Sequence, residues 1–221
     1  MRITKNNIHK FIKGITMNCN NMDITHIDYI PDNIKYLYCL NNKLTELPEL
    51  PSKLIGLYCG VNKLTKLPKL PESLEYLYCY NNKLTELPDL PHFLKRLYCW
   101  NNYLTELPNI KYSSNYKTPH ALEELDCHNN KLTELPILNK RLVNLQCYNN
   151  GLTKLPKLPD ELRHLNCDNN QLTEMPKLPS SLKFLYCYNN NLPYKITLKN
   201  LKEHNKLIKR KNILEKIRLY H

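Results

Sequence analysis

Apolar residues recur along most of this chain at fixed offsets, and the offsets repeat. From residue 54 they fall at Leu54, Leu57, Cys59, Leu64, Leu67 and Leu70, and from residue 74 at Leu74, Leu77, Cys79, Leu84, Leu87 and Leu90. Within each unit a tripeptide such as Leu57-Tyr58-Cys59 alternates, placing Leu57 and Cys59 on one face and Tyr58 on the other. That is the period-two pattern of a half-buried strand. Later in the unit, Pro68 and Pro71 fix their own backbones and push Leu67 and Leu70 into extended or polyproline conformation. The return side is therefore expected to be non-helical, with one short strand per turn stacking into a parallel sheet.

The cysteines give the period. All nine lie on one ladder, at Cys19, Cys39, Cys59, Cys79, Cys99, Cys127, Cys147, Cys167 and Cys187, with a spacing of 20 residues except for 28 between Cys99 and Cys127. A constant interval of this size marks a solenoid. The eight additional residues read as an insertion at 111–118, which either rims a binding face or is tolerated decoration.

The same position in every turn is expected to point inward and stack, so the cysteines should act as small apolar side chains. Their Cβ atoms would stand about 4.8 Å apart, beyond the roughly 3.5 to 4.5 Å of a disulfide. Free thiols and a reducing intracellular compartment are the expectation. No CxxC or CxxH spacing supports a metal site, and no cofactor is implied.

The chain has only four glycines against fifteen prolines, so asparagine is expected to supply the left-handed backbone that turns require. The second residue of each pair, Asn42, Asn62, Asn82, Asn102, Asn130, Asn150, Asn170 and Asn190, reads as a structural amide satisfying backbone groups on its own and the neighbouring turn. The first unit departs from this, with Met22 and Asp28 in place of the asparagine and the first proline, and reads as a worn capping repeat over 19–31.

Each unit reads LxxLxCxxNxLxxLPxLPxx, which resembles the leucine-rich repeat with cysteine in the third leucine position. The 20-residue length and LPxLP ending are similar to the short bacterial type of YopM and of IpaH-type ubiquitin ligases, and to leucine-rich repeat proteins of giant DNA viruses of amoebae. The likeness covers about residues 14–193. It implies a mostly β solenoid with one short parallel strand per turn, a polyproline-like convex side and capped ends, used to bind proteins on its concave sheet. The IpaH-type ligases owe their activity to a separate catalytic domain; about 28 residues follow Pro193 here, so ligase activity is not carried over.

Charge divides the chain. The net charge is +12, of which residues 194–221 hold +7 (nine Lys or Arg, two Glu) and residues 1–18 hold +4 (four Lys or Arg), leaving a nearly neutral body. The expected division is a basic N-terminal cap at 1–18, a solenoid at 19–193 and a basic helical cap at 194–221. Arg2, Lys5, Lys10 and Lys13 interrupt the apolar residues of the N-terminus, which does not read as a signal peptide, and no stretch is long enough for a membrane span. Scattered histidines and the absence of GxSxG, P-loop or HExxH motifs argue against an enzyme.

The outward strand positions carry the candidate site. Tyr36, Tyr38, Tyr58, Tyr76, Tyr78, Tyr80, Tyr98 and Trp100 form an aromatic zone, with Gly56 and Gly60 leaving an expected dent between tyrosines. Tyr and Trp anchor interfaces, although a tyrosine ladder can also pack on itself. The next turns are polar and acidic, and Phe184, Tyr186 and Tyr188 restore an aromatic edge.

The tail is expected to be helical from near Thr197, its N-cap, with Leu201, Leu207, Ile208, Leu214 and Ile217 as a rough capping stripe. Lys206, Lys209, Arg210 and Lys211 form either a solvated face or a contact for nucleic acid or anionic lipid. The function expected is a noncatalytic module binding a protein or peptide, with a host protein as the target the resemblance suggests. The alternative is a structural or nucleic-acid-associated protein, such as a virion component, acting through its basic tail.

Overall fold

The structure is a computed structural model that describes residues 1–108 and 122–219; the insertion expected at 111–118 lies outside the described residues. The strands are β1 (Arg2–Ile3), β2 (Ile12–Lys13), β3 (Thr16–Asn18), β4 (His26–Ile27), β5 (Tyr36–Tyr38), β6 (Gly56–Tyr58), β7 (Tyr76–Tyr78), β8 (Arg96–Tyr98), β9 (Glu124–Asp126), β10 (Asn144–Gln146), β11 (His164–Asn166) and β12 (Phe184–Tyr186). Strand β3 and strands β5 to β12 pair in parallel in sequence order, and β2 closes the N-terminal end antiparallel to β3. No helix stands between β5 and β8 or between β9 and β12; extended chain and tight turns make the return side, as the prolines require.

Register follows directly from the 20-residue period. Leu37 pairs with Leu57, Leu57 with Leu77 and Leu77 with Leu97. Leu97 then pairs with Leu125, so the longer interval between Cys99 and Cys127 leaves the ladder in step. Each leucine at this position is at most 3% exposed until Leu185 in the last strand. Burial of one such side chain stabilises the fold by about 1.5–3 kcal/mol.

All nine cysteines are free and buried in one column. Burial pushes the thiols up, to about 12 for Cys19 and Cys59 and well above the usual range for Cys39, Cys79 and Cys99. They are protonated packing groups, poor as nucleophiles.

The asparagine pair divides two tasks. The second residue bridges turns: Asn82 Nδ2 donates to the carbonyls of Cys59 at 3.0 Å and Cys79 at 3.1 Å, while its Oδ1 accepts the Leu64 N–H at 2.9 Å. The same pattern recurs at Asn42, Asn62, Asn102, Asn130, Asn150, Asn170 and Asn190, satisfying backbone groups that the turn leaves over. The first residue supplies the left-handed conformation, with φ between 50° and 54° at Asn41, Asn81, Asn101, Asn129, Asn149, Asn169 and Asn189. Val61 stands in this column at φ 55°, a conformation that a β-branched residue rarely adopts.

The ends are built differently. At the N-terminus isoleucine replaces leucine, with Ile3, Ile24 and Ile34 wholly buried, and β1 pairs with β4. At the C-terminus Thr197 opens the cap, donating its backbone N–H to Asn200 Oδ1 at 2.8 Å, and helix α1 (Leu201–Leu219) follows a short 3-10 turn. The expected apolar stripe holds it only in part. Leu201 and Ile208 are half-buried, whereas Leu207 and Leu214 are 47% and 59% exposed. Polar contacts do more of the docking, because the last coil offers backbone groups with no further coil to pair them. His204 bonds the Pro176 carbonyl at 3.0 Å and the Tyr194 hydroxyl at 2.8 Å. Asn205 both donates to and accepts from the backbone of Leu178, at 2.8 and 2.9 Å.

Candidate protein-binding face

The outward residues of the sheet form columns because identical repeat positions stack about one strand spacing apart. Tyr38, Tyr58, Tyr78 and Tyr98, each the last residue of its strand, make the first column. Tyr38 and Tyr58 stack at 4.5 Å and Tyr78 and Tyr98 at 4.4 Å, and the two pairs meet edge to face between Tyr58 and Tyr78 at 4.9 Å. Such pairs each contribute about 0.5–1.5 kcal/mol beyond their buried area.

The second column begins with Tyr80 and Trp100, whose rings lie 4.5 Å apart and 5° from parallel. It runs on through His128, 5.1 Å from Trp100, to Tyr148, 4.2 Å from His128. His128 and Tyr148 belong to the aromatic surface although their turns look polar in sequence. Their place directly after Cys127 and Cys147, the position of Tyr80 and Trp100, is the signal that identifies them. His128 is held by its Nδ1, 2.5 Å from Asp126 Oδ1.

The glycines leave no open dent, which corrects the expectation. A Cβ on Gly56 would stand 2.7 Å from Tyr58 Cε2 and 3.0 Å from Tyr36 Cδ1, and one on Gly60 would stand 2.8 Å from Tyr80 Cζ. The rings have folded down onto the glycine backbone, so the space is already filled by the protein's own aromatics. Tyr36 and Tyr76 flank Gly56 in the sheet register and are not stacked on each other.

A charged border meets the first column. The Tyr98 hydroxyl donates to the Glu124 carboxylate, which also pairs with Arg96 Nε at 3.1 Å, and the Arg96 guanidinium lies 5.9 Å from the Tyr76 ring centre. Burial pushes the phenols of Tyr58, Tyr80 and Tyr98 up, with the Glu124 bond adding to the effect at Tyr98. All three are neutral at physiological pH and able to donate.

Because the ring faces are taken up by stacking, what the surface offers a ligand is ring edges and hydroxyls beside fixed charges. Phe184, Tyr186 and Tyr188 at the last strand are 47%, 46% and 55% exposed and continue this face as a separate patch. The tail lysines are not brought to it: Lys206 and Lys209 lie on α1, and Lys211 is paired with Glu174. Among the described residues no group of three or more His, Cys, Asp or Glu is placed to hold a metal, and no helix is long and apolar enough to cross a membrane.

A parallel solenoid with one strand, several inward leucines, one inward cysteine and one bridging asparagine per turn is the architecture of a leucine-rich repeat. The family described as "Leucine Rich repeats (2 copies)" matches residues 72–112. Among solved structures, YopM, a leucine-rich effector protein from Yersinia pestis, is 31% identical with a TM-score of 0.64, covering 80% of this chain and 61% of that one. YopM from Yersinia enterocolitica is 30% identical with a TM-score of 0.50, covering 80% and 47%. The functional domain of InlJ from Listeria monocytogenes, which includes a cysteine ladder, is 30% identical with a TM-score of 0.59, covering 86% and 47%. None of the curated proteins matches the chain. The chain spans about half to three fifths of the YopM structures that it resembles. The chain is a leucine-rich repeat protein, and its short repeats are similar to those of the YopM structures.

Proposed function

We propose that this protein is a noncatalytic interaction module that holds a protein or peptide on its aromatic sheet face. Residues 19–193 act as the binding solenoid between a basic N-terminal segment, 1–18, and a basic C-terminal cap, 194–221. Tyr38, Tyr58, Tyr78, Tyr98, Tyr80 and Trp100 are its anchors, with Tyr36 and Tyr76 beside them and Gly56 and Gly60 as the seats of the rings.

The observation that carries the reading is the double column of stacked, half-buried rings along one face, which nothing else in the described chain covers. Pre-stacked rings lose little side-chain freedom on binding, which is one of the costs that reduce interface affinity. Tyr and Trp tips also give edge contacts and hydroxyl bonds, the commonest anchors of interfaces. The likeness to effector proteins favours a host protein as partner, and the nine free thiols favour a reducing, intracellular setting.

The test compares the intact protein with a Tyr58→Ala, Tyr78→Ala, Trp100→Ala variant of unchanged circular dichroism, each used to capture proteins from native lysate at moderate salt. A protein bound by the first and lost by the second is the expected outcome. Identical capture by both would reduce the columns to internal packing.

A further inference from the structure

We infer that the cleft between helix α1 and the last proline-bearing segment, Met175-Pro-Lys-Leu-Pro179, is a second docking site, separate from the sheet face, for an acidic peptide segment carrying apolar side chains. The cleft has a volume of about 670 Å³ and opens along one flank of the helix. Its floor is apolar, from half-buried Leu201 and Ile208 continuing to exposed Ile213. Its lip carries four exposed ammonium groups, Lys202, Lys206 and Lys209 from the helix and Lys177 from the coil.

The two flanks of α1 differ in their carboxylates. On the other flank Asp160 and Glu174 line the space beside Lys157, Lys211 and Lys177, which borders both clefts, and Glu174 pairs with Lys211. Among the described residues no carboxylate lines the lysine flank, and none of the four lysines takes part in an ion pair. Four cations gathered on an apolar trough repel one another until an anion enters.

The chemistry of the occupant follows from both features. Several charges spread along the cleft suit a ligand with several carboxylates rather than one head group. An apolar floor is of no use to a phosphate backbone, and a trough between a helix and a coil does not fit a flat bilayer. An acidic segment with Leu, Ile or Phe at intervals meets floor and lip together, in the manner of helix-in-groove recognition. The cleft is held open by specific bonds: His204 to the Pro176 carbonyl and Asn205 to the Leu178 backbone fix the helix to the coil.

The experiment pans a random peptide display library against the full chain at about 0.15 M salt. The peptides have about 12 residues, the helical length that matches residues 201–213 at roughly 18 Å. Selected peptides should be rich in Asp and Glu alternating with apolar residues. As labelled synthetic peptides they should lose about tenfold or more in affinity on a Lys202→Glu, Lys206→Glu, Lys209→Glu variant. Ile213→Ser, which keeps every charge, should weaken them several-fold, and Tyr78→Ala, Trp100→Ala should leave them unchanged, so that this site and the sheet face stand or fall separately. Peptides without acidic residues, or affinity that survives the lysine changes, would overturn the proposal. So would a library yielding nothing. If a single-stranded oligonucleotide or phosphatidylserine vesicles then bound in a lysine-dependent way, the lip would belong to nucleic acid or lipid.

Discussion

The ring of Tyr80 rests on the backbone of Gly60, with no room between them for a methyl group. The glycine thereby sets where Tyr80 stands, and through it the start of the column that continues into Trp100, His128 and Tyr148. Gly60→Ala is expected to lift the ring and cost about 1–2 kcal/mol, measured by denaturant unfolding. Tyr80→Ala should remove most of that penalty, since the two changes share one contact and cannot add. Additive effects would mean that the glycine acts through its backbone freedom alone.

Val61 interrupts the left-handed asparagine column. The side chains of that column bond from turn to turn, as from Asn101 to Asn81 at 2.7 Å and from Asn41 to Asn21 at 2.8 Å, whereas valine can do neither this nor relax at φ 55°. Val61→Asn is expected to stabilise the protein by about 1 kcal/mol, seen as a higher denaturation midpoint at unchanged slope. Asn81→Val should lower it by a similar amount.

The bridging asparagine is a more costly site. Asn82→Ala would leave the Leu64 N–H without its partner and take one of two asparagine bonds from each of the Cys59 and Cys79 carbonyls, which keep those from Asn62 and Asn102. A loss of about 1–3 kcal/mol is expected, because the orphaned amide carries its own desolvation penalty. Hydrogen exchange should show the damage on both sides of the substituted turn, as coupling in a solenoid runs between neighbours.

The thiol column predicts alkaline sensitivity. Burial raises the folded thiols from an ordinary value of 9.0 to about 12 for Cys19 and Cys59, and raises Cys39, Cys79, Cys99, Cys147 and Cys167 well above that ordinary value. Above pH 9 the unfolded chain sheds protons that the folded chain keeps, so the unfolded state binds fewer and stability falls as pH rises. Stability from these groups should be fully present below about pH 8 and then decline by up to about 1.4 kcal/mol per buried thiol per pH unit. Chemical denaturation between pH 7 and pH 10.5 would check this. Exchange of Cys79 and Cys99 for alanine should make the decline shallower.

Thiol reactivity should follow the same geometry. Cys187, 8% exposed in the last turn and raised only to about 11, is expected to react first with a maleimide, while the remaining cysteines wait for global unfolding. Uniform fast labelling of all nine would contradict the buried column.

The register of the ladder, the inward cysteines and the bridging asparagines were legible in the chain because they depend on local alternation and a constant 20-residue interval. Once Leu57 pairs with Leu77, each residue of the unit is bound to meet its own counterpart, and no distant information is needed. The tyrosines' place on the outward face followed for the same reason. What they do there did not. Whether Tyr58 stacks on Tyr38 or turns its edge to Tyr78, and whether Gly60 is a vacancy or a seat for Tyr80, depends on rotamers chosen jointly by side chains 20 residues apart. Helix α1 shows the same limit from the other side. Its apolar spacing predicted a stripe that docking only half uses, because the last coil presents backbone carbonyls and amides that His204 and Asn205 satisfy better than leucine could. Repetition in the sequence determined which way each residue faces; only the packed tertiary structure decided which neighbours fill the space it faces into, since that choice is made between turns.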